Sequence, residues 1–164
     1  MPDAIDRFID DWQETWPAMD VAGAAALLRV IHLGAELERE LAGISARHGL
    51  KPSQFNVLAA LRRQDRPLAP KALVEAAILT SGALTPVFDR LEAAGLIRRL
   101  PDPDDRRGVL LTLTAEGRRA IEAALEERMA CHARRLAVLP PEAREQLAGL
   151  LRRVLAPEVA RDEK

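Results

Sequence analysis

The first apolar positions, Ile5, Phe8, Ile9, Trp12 and Trp16, recur at helical spacing with acids on the opposite face, and Pro17 closes the run. This predicts a short amphipathic helix. Asp20 is placed to cap a second helix reaching about His48, where Gly49 offers a left-handed stop. Its apolar residues fall on two stripes, Leu27-Leu28-Ile31 and Val30-Leu33-Leu37-Leu41-Ile44, so both sides need cover and a partner subunit is implied.

Three shorter helices are expected next. One runs from Pro52 to about Arg63, with Phe55, Val57, Leu58 and Leu61 apolar, and Asp65-Arg66-Pro67 breaks it. A second spans roughly Pro70 to Ala77. A third is capped by Thr80 and stopped by Gly95, and this succession is the helix-turn-helix pattern. The period then changes to that of strands: residues 96–100 and 109–113 read as a hairpin whose connection, residues 101–108, is polar and carries Arg106 and Arg107. A hairpin after such a helix is a wing. Thr114 caps a longer helix with Ile121, Leu125, Met129 and Leu136 on one face, broken at Pro140-Pro141. The last helix holds Leu147, Leu150, Leu151 and Val154.

Composition narrows the function classes. The chain has 164 residues, 48% hydrophobic and 30% charged, enough for a packed core, and aromatic content of 3% favours helices over a sheet-rich fold. No apolar run reaches membrane-spanning length, and the acidic opening, with Asp3, Asp6, Asp10 and Asp11, is unlike a signal peptide; a cytoplasmic protein with no membrane partner is expected. A single cysteine, Cys131, forms no internal disulfide, which fits a reducing compartment. The net charge of -1 conceals an asymmetry, since residues 1–20 hold six acids against Arg7, leaving 23 basic and 19 acidic groups in the remainder. Charge therefore permits DNA binding. Enzyme readings find no support: there is no Gly-x-Ser-x-Gly elbow and no phosphate-binding glycine loop, and His32, His48 and His132 lack metal-ligand spacing. Neither catalytic residues, nor a metal, nor a cofactor is expected.

The stretch Leu79-Thr80-Ser81-Gly82-Ala83-Leu84-Thr85-Pro86-Val87-Phe88-Asp89-Arg90-Leu91-Glu92-Ala93-Ala94-Gly95-Leu96-Ile97, then residues 101–108, then Leu113-Thr114-Ala115-Glu116-Gly117, resembles the winged helix sequence of the MarR family of ligand-responsive repressors. The likeness is close over residues 50–118 and looser in the flanking helices. It implies a mainly α fold with a small β-hairpin wing, a winged helix-turn-helix dimer binding double-stranded DNA. Residues 1–48 and 115–164 would supply the dimerisation helices and residues 49–114 the DNA-binding region, in one structural domain overall. Small polar residues at the start of the recognition helix suit close approach to base edges, which Ser81, Gly82, Ala83 and Thr85 provide. Thr80-Ser81 also fits an ordinary helix cap. Pro86 lacks the N–H that would bond Gly82 and weakens the helix locally, its ring meeting a thymine methyl or being merely tolerated. Arg90 is placed for a phosphate. Arg106 and Arg107 suit minor-groove insertion, or ion pairs with Asp102, Asp104 or Asp105; Arg107 is read as the DNA contact and Arg106 as the brace.

The extra N-terminal helix bearing a Trp, with Gln54-Phe55-Asn56-Val57-Leu58, is similar to the urate-responsive, PecS-like branch of that family. The resemblance implies an effector site at Trp12, Asn56 and Arg99, although Trp12 also fits a plain core position beside Phe8 and Trp16. That branch has Asp where Asn56 stands and Arg where Val87 stands, so a small planar anionic or phenolic effector is expected in preference to urate. Two other readings remain: a thiol-based redox regulator using Cys131, against an inert buried thiol, and a winged-helix interaction module that does not bind DNA.

Overall fold

The computed structural model describes residues 3–76, 84–105 and 107–156. Contacts divide the chain into two units, residues 1–124 and 125–164. The first opens on α1 (Ala4–Thr15), which begins with a reciprocal cap: Asp3 accepts from the Asp6 backbone N–H at 2.9 Å, and Asp6 accepts from that of Asp3 at 2.8 Å. Both carboxylates also receive Arg29 of α2 (Ala22–Arg47), at 2.9 and 2.6 Å, which fastens the first helix to the second. Asp20 is not the cap of α2. Buried Val21 takes that position, its carbonyl accepting from Ala24 and Ala25, because the chain is still in a turn at Trp16 to Met19.

Helix α2 ends as the glycine predicts. Gly49 adopts φ +69°, its N–H bonds to the Ala46 carbonyl, and the Leu50 N–H bonds back to Ser45. Helix α3 (Pro52–Gln64) follows with Pro52 in its first turn and the Lys51 N–H held by the Gln54 side chain at 2.8 Å. Its buried residues Phe55, Val57, Leu58, Ala60 and Leu61 form the floor of the winged region. Asp65 ends the helix at φ +47°, a left-handed position that a short polar side chain tolerates.

Helices α4 (Pro70–Ala76) and α5 (Thr85–Ala93) lead to strands β1 (Ile97–Pro101) and β2 (Val109–Leu113), an antiparallel hairpin with Ile97 opposite Leu113 and Arg99 opposite Leu111. A third strand position, absent from the sequence reading, is Leu68, which exchanges both backbone hydrogen bonds with Leu111 at 3.0 and 2.8 Å. Leu68, Leu73, Phe88, Leu91, Ile97 and Leu111 are all buried with α3. Helix α6 (Ala115–Arg135) starts in this unit, where Ile121 and Ala124 are fully buried, and runs into the second.

The junction before α6 explains the Leu-Thr-x-x-Gly motif. Thr114 Oγ1 accepts from the Gly117 N–H at 2.9 Å, capping the helix as expected, and donates to the Gly95 carbonyl at 2.7 Å. Gly117 packs directly on the preceding turn, for a Cβ there would lie 1.9 Å from the Leu96 carbonyl oxygen. The second unit holds the rest of α6, a 3-10 turn at Leu136–Val138 and α7 (Pro141–Leu155). Cys131 is buried, whereas Leu150, Val154 and Leu155 are exposed.

Candidate nucleic-acid interface

Residues 49–114 carry ten basic and seven acidic side chains, so the winged region is cationic within a near-neutral chain. Helix α5 is set by its buried face: Val87, Phe88 and Leu91 point into the core, and at about 100° per residue the opposite face presents Thr85, Pro86, Asp89 and Arg90. Thr85, Pro86 and Arg90 are exposed.

The helix starts later than the capping pattern at Thr80 suggests. Leu84 is its N-cap, and its carbonyl accepts from Val87 and Phe88 at 2.8 and 3.0 Å. Pro86 consequently occupies the first turn, where its missing N–H costs no helical hydrogen bond, so the expected local weakening does not arise. Thr80, Ser81, Gly82, Ala83 and Arg106 lie outside the described residues. At its other end α5 stops at Gly95, φ +70°, with the Leu96 N–H returning to Leu91. That turn launches β1 and fixes the wing relative to the helix.

The wing loop is held by its own aspartates. Asp102 accepts from the Asp104 N–H at 3.0 Å and Asp105 from the Arg107 N–H at 2.9 Å, while the Gly108 N–H bonds to the Asp105 carbonyl at 2.8 Å. Gly108 fits because an added Cβ would meet Asp102 at 2.9 Å. Two of the acids expected as ion-pair partners, Asp102 and Asp105, thus hold the loop backbone. Arg107 is exposed, and among the described residues its guanidinium makes no ion pair.

The three residues expected to hold an effector, Trp12, Asn56 and Arg99, lie on three elements. Trp12 of α1 packs edge-on against Phe8, ring centroids 6.3 Å apart, and remains 37% exposed. Asn56 is half-buried on α3. Arg99 of β1 donates to Asp89 at 2.6 Å and to Glu92, both of α5. Those carboxylates raise the pKa of its guanidinium, the hydrogen bond it donates to Asp89 contributing most, and an anionic ligand reaching Arg99 has to compete with both. No sequence period marks this arrangement. Among the described residues no cluster of His, Cys, Asp and Glu is arranged to hold a metal ion, and no helix is long and apolar enough to cross a membrane.

Comparisons with known proteins agree with this geometry. The family model described as MarR family matches residues 50–109. The HTH-type transcriptional regulator PecS of Dickeya dadantii (strain 3937) is 31% identical over 152 residues, 92% of each chain. Among solved structures, an E. coli MarR variant complexed with operator DNA superposes with a TM-score of 0.67 at 29% identity, over 88% of this chain and 97% of that one. CouR from Rhodococcus jostii RHA1, bound to p-coumaroyl-CoA, gives 0.66 at 27% identity, over 84% and 94%. With a relative matched along nine-tenths of both chains and the same winged helix carrying the likeness, this chain belongs to the MarR family of DNA-binding transcriptional regulators.

Proposed function

We propose that the chain is a homodimeric repressor that binds a pseudo-palindromic operator near its own gene and leaves it when a small planar anionic or phenolic effector binds. The observation that carries this reading is the pairing of an outward α5 face, Thr85, Pro86 and Arg90, with a wing whose Arg107 side chain is exposed and, among the described residues, makes no ion pair. The helix face suits base edges in the major groove, and Arg107 suits the narrow minor groove beside it. Ser81, Gly82, Ala83 and Arg106, outside the described residues, are assigned to the same contacts from the sequence alone. Binding should be salt-dependent, because Arg90 and the wing arginines exchange places with condensed counterions. Titration of a fluorescent duplex from the region upstream of the gene tests this. Affinity should fall by at least about tenfold between 50 and 200 mM salt; no binding even at the lower concentration is the opposing outcome.

Dimerisation is supported by apolar side chains left exposed in the isolated chain: Leu27, Val30 and Ile31 on α2, and Leu150, Val154 and Leu155 on α7. A two-fold dimer would present two α5 helices to half-sites about 34–36 Å apart or a multiple of that.

For the effector, Trp12 supplies a partly exposed ring and Asn56 an amide that both donates and accepts. Arg99 contributes charge only if the ligand displaces a carboxylate of α5. The ligand of CouR, whose coumaroyl group is a planar phenol, supports the chemical class. With 4-hydroxycinnamate as probe, indole fluorescence should be quenched in the native chain and much less in Trp12→Phe, where Trp16 remains as reference, and DNA release should weaken in parallel. Equal release from both proteins would place the pocket elsewhere.

A further inference from the structure

Asp89 is out of place on a surface that meets phosphates. It lies one turn after Thr85 on the same stripe of α5, directly precedes Arg90, and its side chain is 58% exposed. Glu92 stands at the edge of that face. Two bare carboxylates there would oppose the charge on which DNA binding depends. Arg99 answers both of them. It shares a hairpin face with Ile97 and Leu111, which turns it toward α5, and its guanidinium bridges Asp89 and Glu92 while its backbone N–H also reaches Glu92 at 3.3 Å.

We propose that Arg99 is a positioning residue for DNA binding, which neutralises Asp89 and Glu92 and turns them away from the phosphates without itself contacting DNA. The fold does not depend on this bridge to place α5 on the wing, because the turn at Gly95 and the buried contacts of Phe88, Leu91 and Ile97 do that already. What the bridge adds is charge balance on the reading surface. The inference rests on the proposed DNA-binding reading.

Three variants test it by fluorescence anisotropy with the upstream duplex: Arg99→Gln, Asp89→Asn/Glu92→Gln, and the combination of all three. Arg99→Gln should bind about tenfold more weakly at low salt, with the deficit shrinking as salt screens the exposed acids. The double variant should bind as tightly as the native chain or tighter. The triple variant should recover to within about threefold of native affinity, which neither a lost phosphate contact nor a merely structural defect predicts. Thermal melting of each variant shows whether it is folded, and if Arg99→Gln is not, the triple variant decides. Native affinity in Arg99→Gln, or a triple variant as weak as the single one, overturns the proposal. Failure of the native chain to bind would instead remove the DNA-binding reading itself.

Discussion

Replacing Gly117 with alanine is expected to destabilise the winged region by roughly 3 kcal/mol, the upper end of the range for forcing a methyl group into a packed site. The added Cβ would sit 1.9 Å from the Leu96 carbonyl oxygen, and that neighbour is backbone, unable to rotate away. Relief requires α6 to separate from the turn between α5 and β1. Separation breaks the contacts that meet there: the Thr114 N–H on the Leu96 carbonyl at 3.1 Å and the Thr114 hydroxyl on the Gly95 carbonyl at 2.7 Å. At about 2–4 °C per kcal/mol for a chain of this size, the midpoint of thermal unfolding should fall by roughly 6–12 °C. Gly23→Ala provides the contrast, since no atom lies within 4 Å of its added methyl, and it should change stability by no more than about 1 kcal/mol. A Gly117→Ala protein that melts within about 2 °C of the native chain would show that the junction is not the rigid link described here.

The second large effect concerns the division of labour on the DNA-facing surface. Arg107→Ala should weaken binding to all duplexes alike, because an arginine at the wing tip reads groove width and phosphate potential. Thr85→Ala should alter preference among operator variants, since its hydroxyl stands at the start of α5, the helix proposed to read the major groove. Each change should cost about 1–3 kcal/mol of binding free energy. Titrations against the upstream duplex, its single-base variants and an unrelated duplex separate the two patterns. If both variants bind all three as the native chain does, the reading surface lies elsewhere on the protein.

Most element boundaries were legible because they are local. Gly49 and Gly95 mark left-handed helix ends, Thr114 marks a cap, and the shift from helical to alternating period marks the hairpin, each decided within a few residues. The start of α5 was not, because Thr80 offers a cap pattern while Leu84 and Pro86 set the described first turn. Leu68 is illegible in the sequence for a different reason: a strand position one residue long has no period, and only its exchange of hydrogen bonds with Leu111 reveals it. Gly117 was legible as part of a motif, but its cause lies at Leu96, far away in the chain.

Site residues divide in the same way. The outward placement of Thr85, Pro86 and Arg90 follows from helical spacing against Phe88 and Leu91, which are buried. Arg99 and its two carboxylates come together only when β1 folds back over α5, so their charges could be counted in the sequence but not paired.

Dimeric binding to an operator is tested most directly by the mass of the complex formed between the native chain and the duplex upstream of its gene, measured by analytical ultracentrifugation. Two chains per duplex is the expected result, in a complex that dissociates as salt is raised. One chain per duplex, or no complex at low salt, would contradict it.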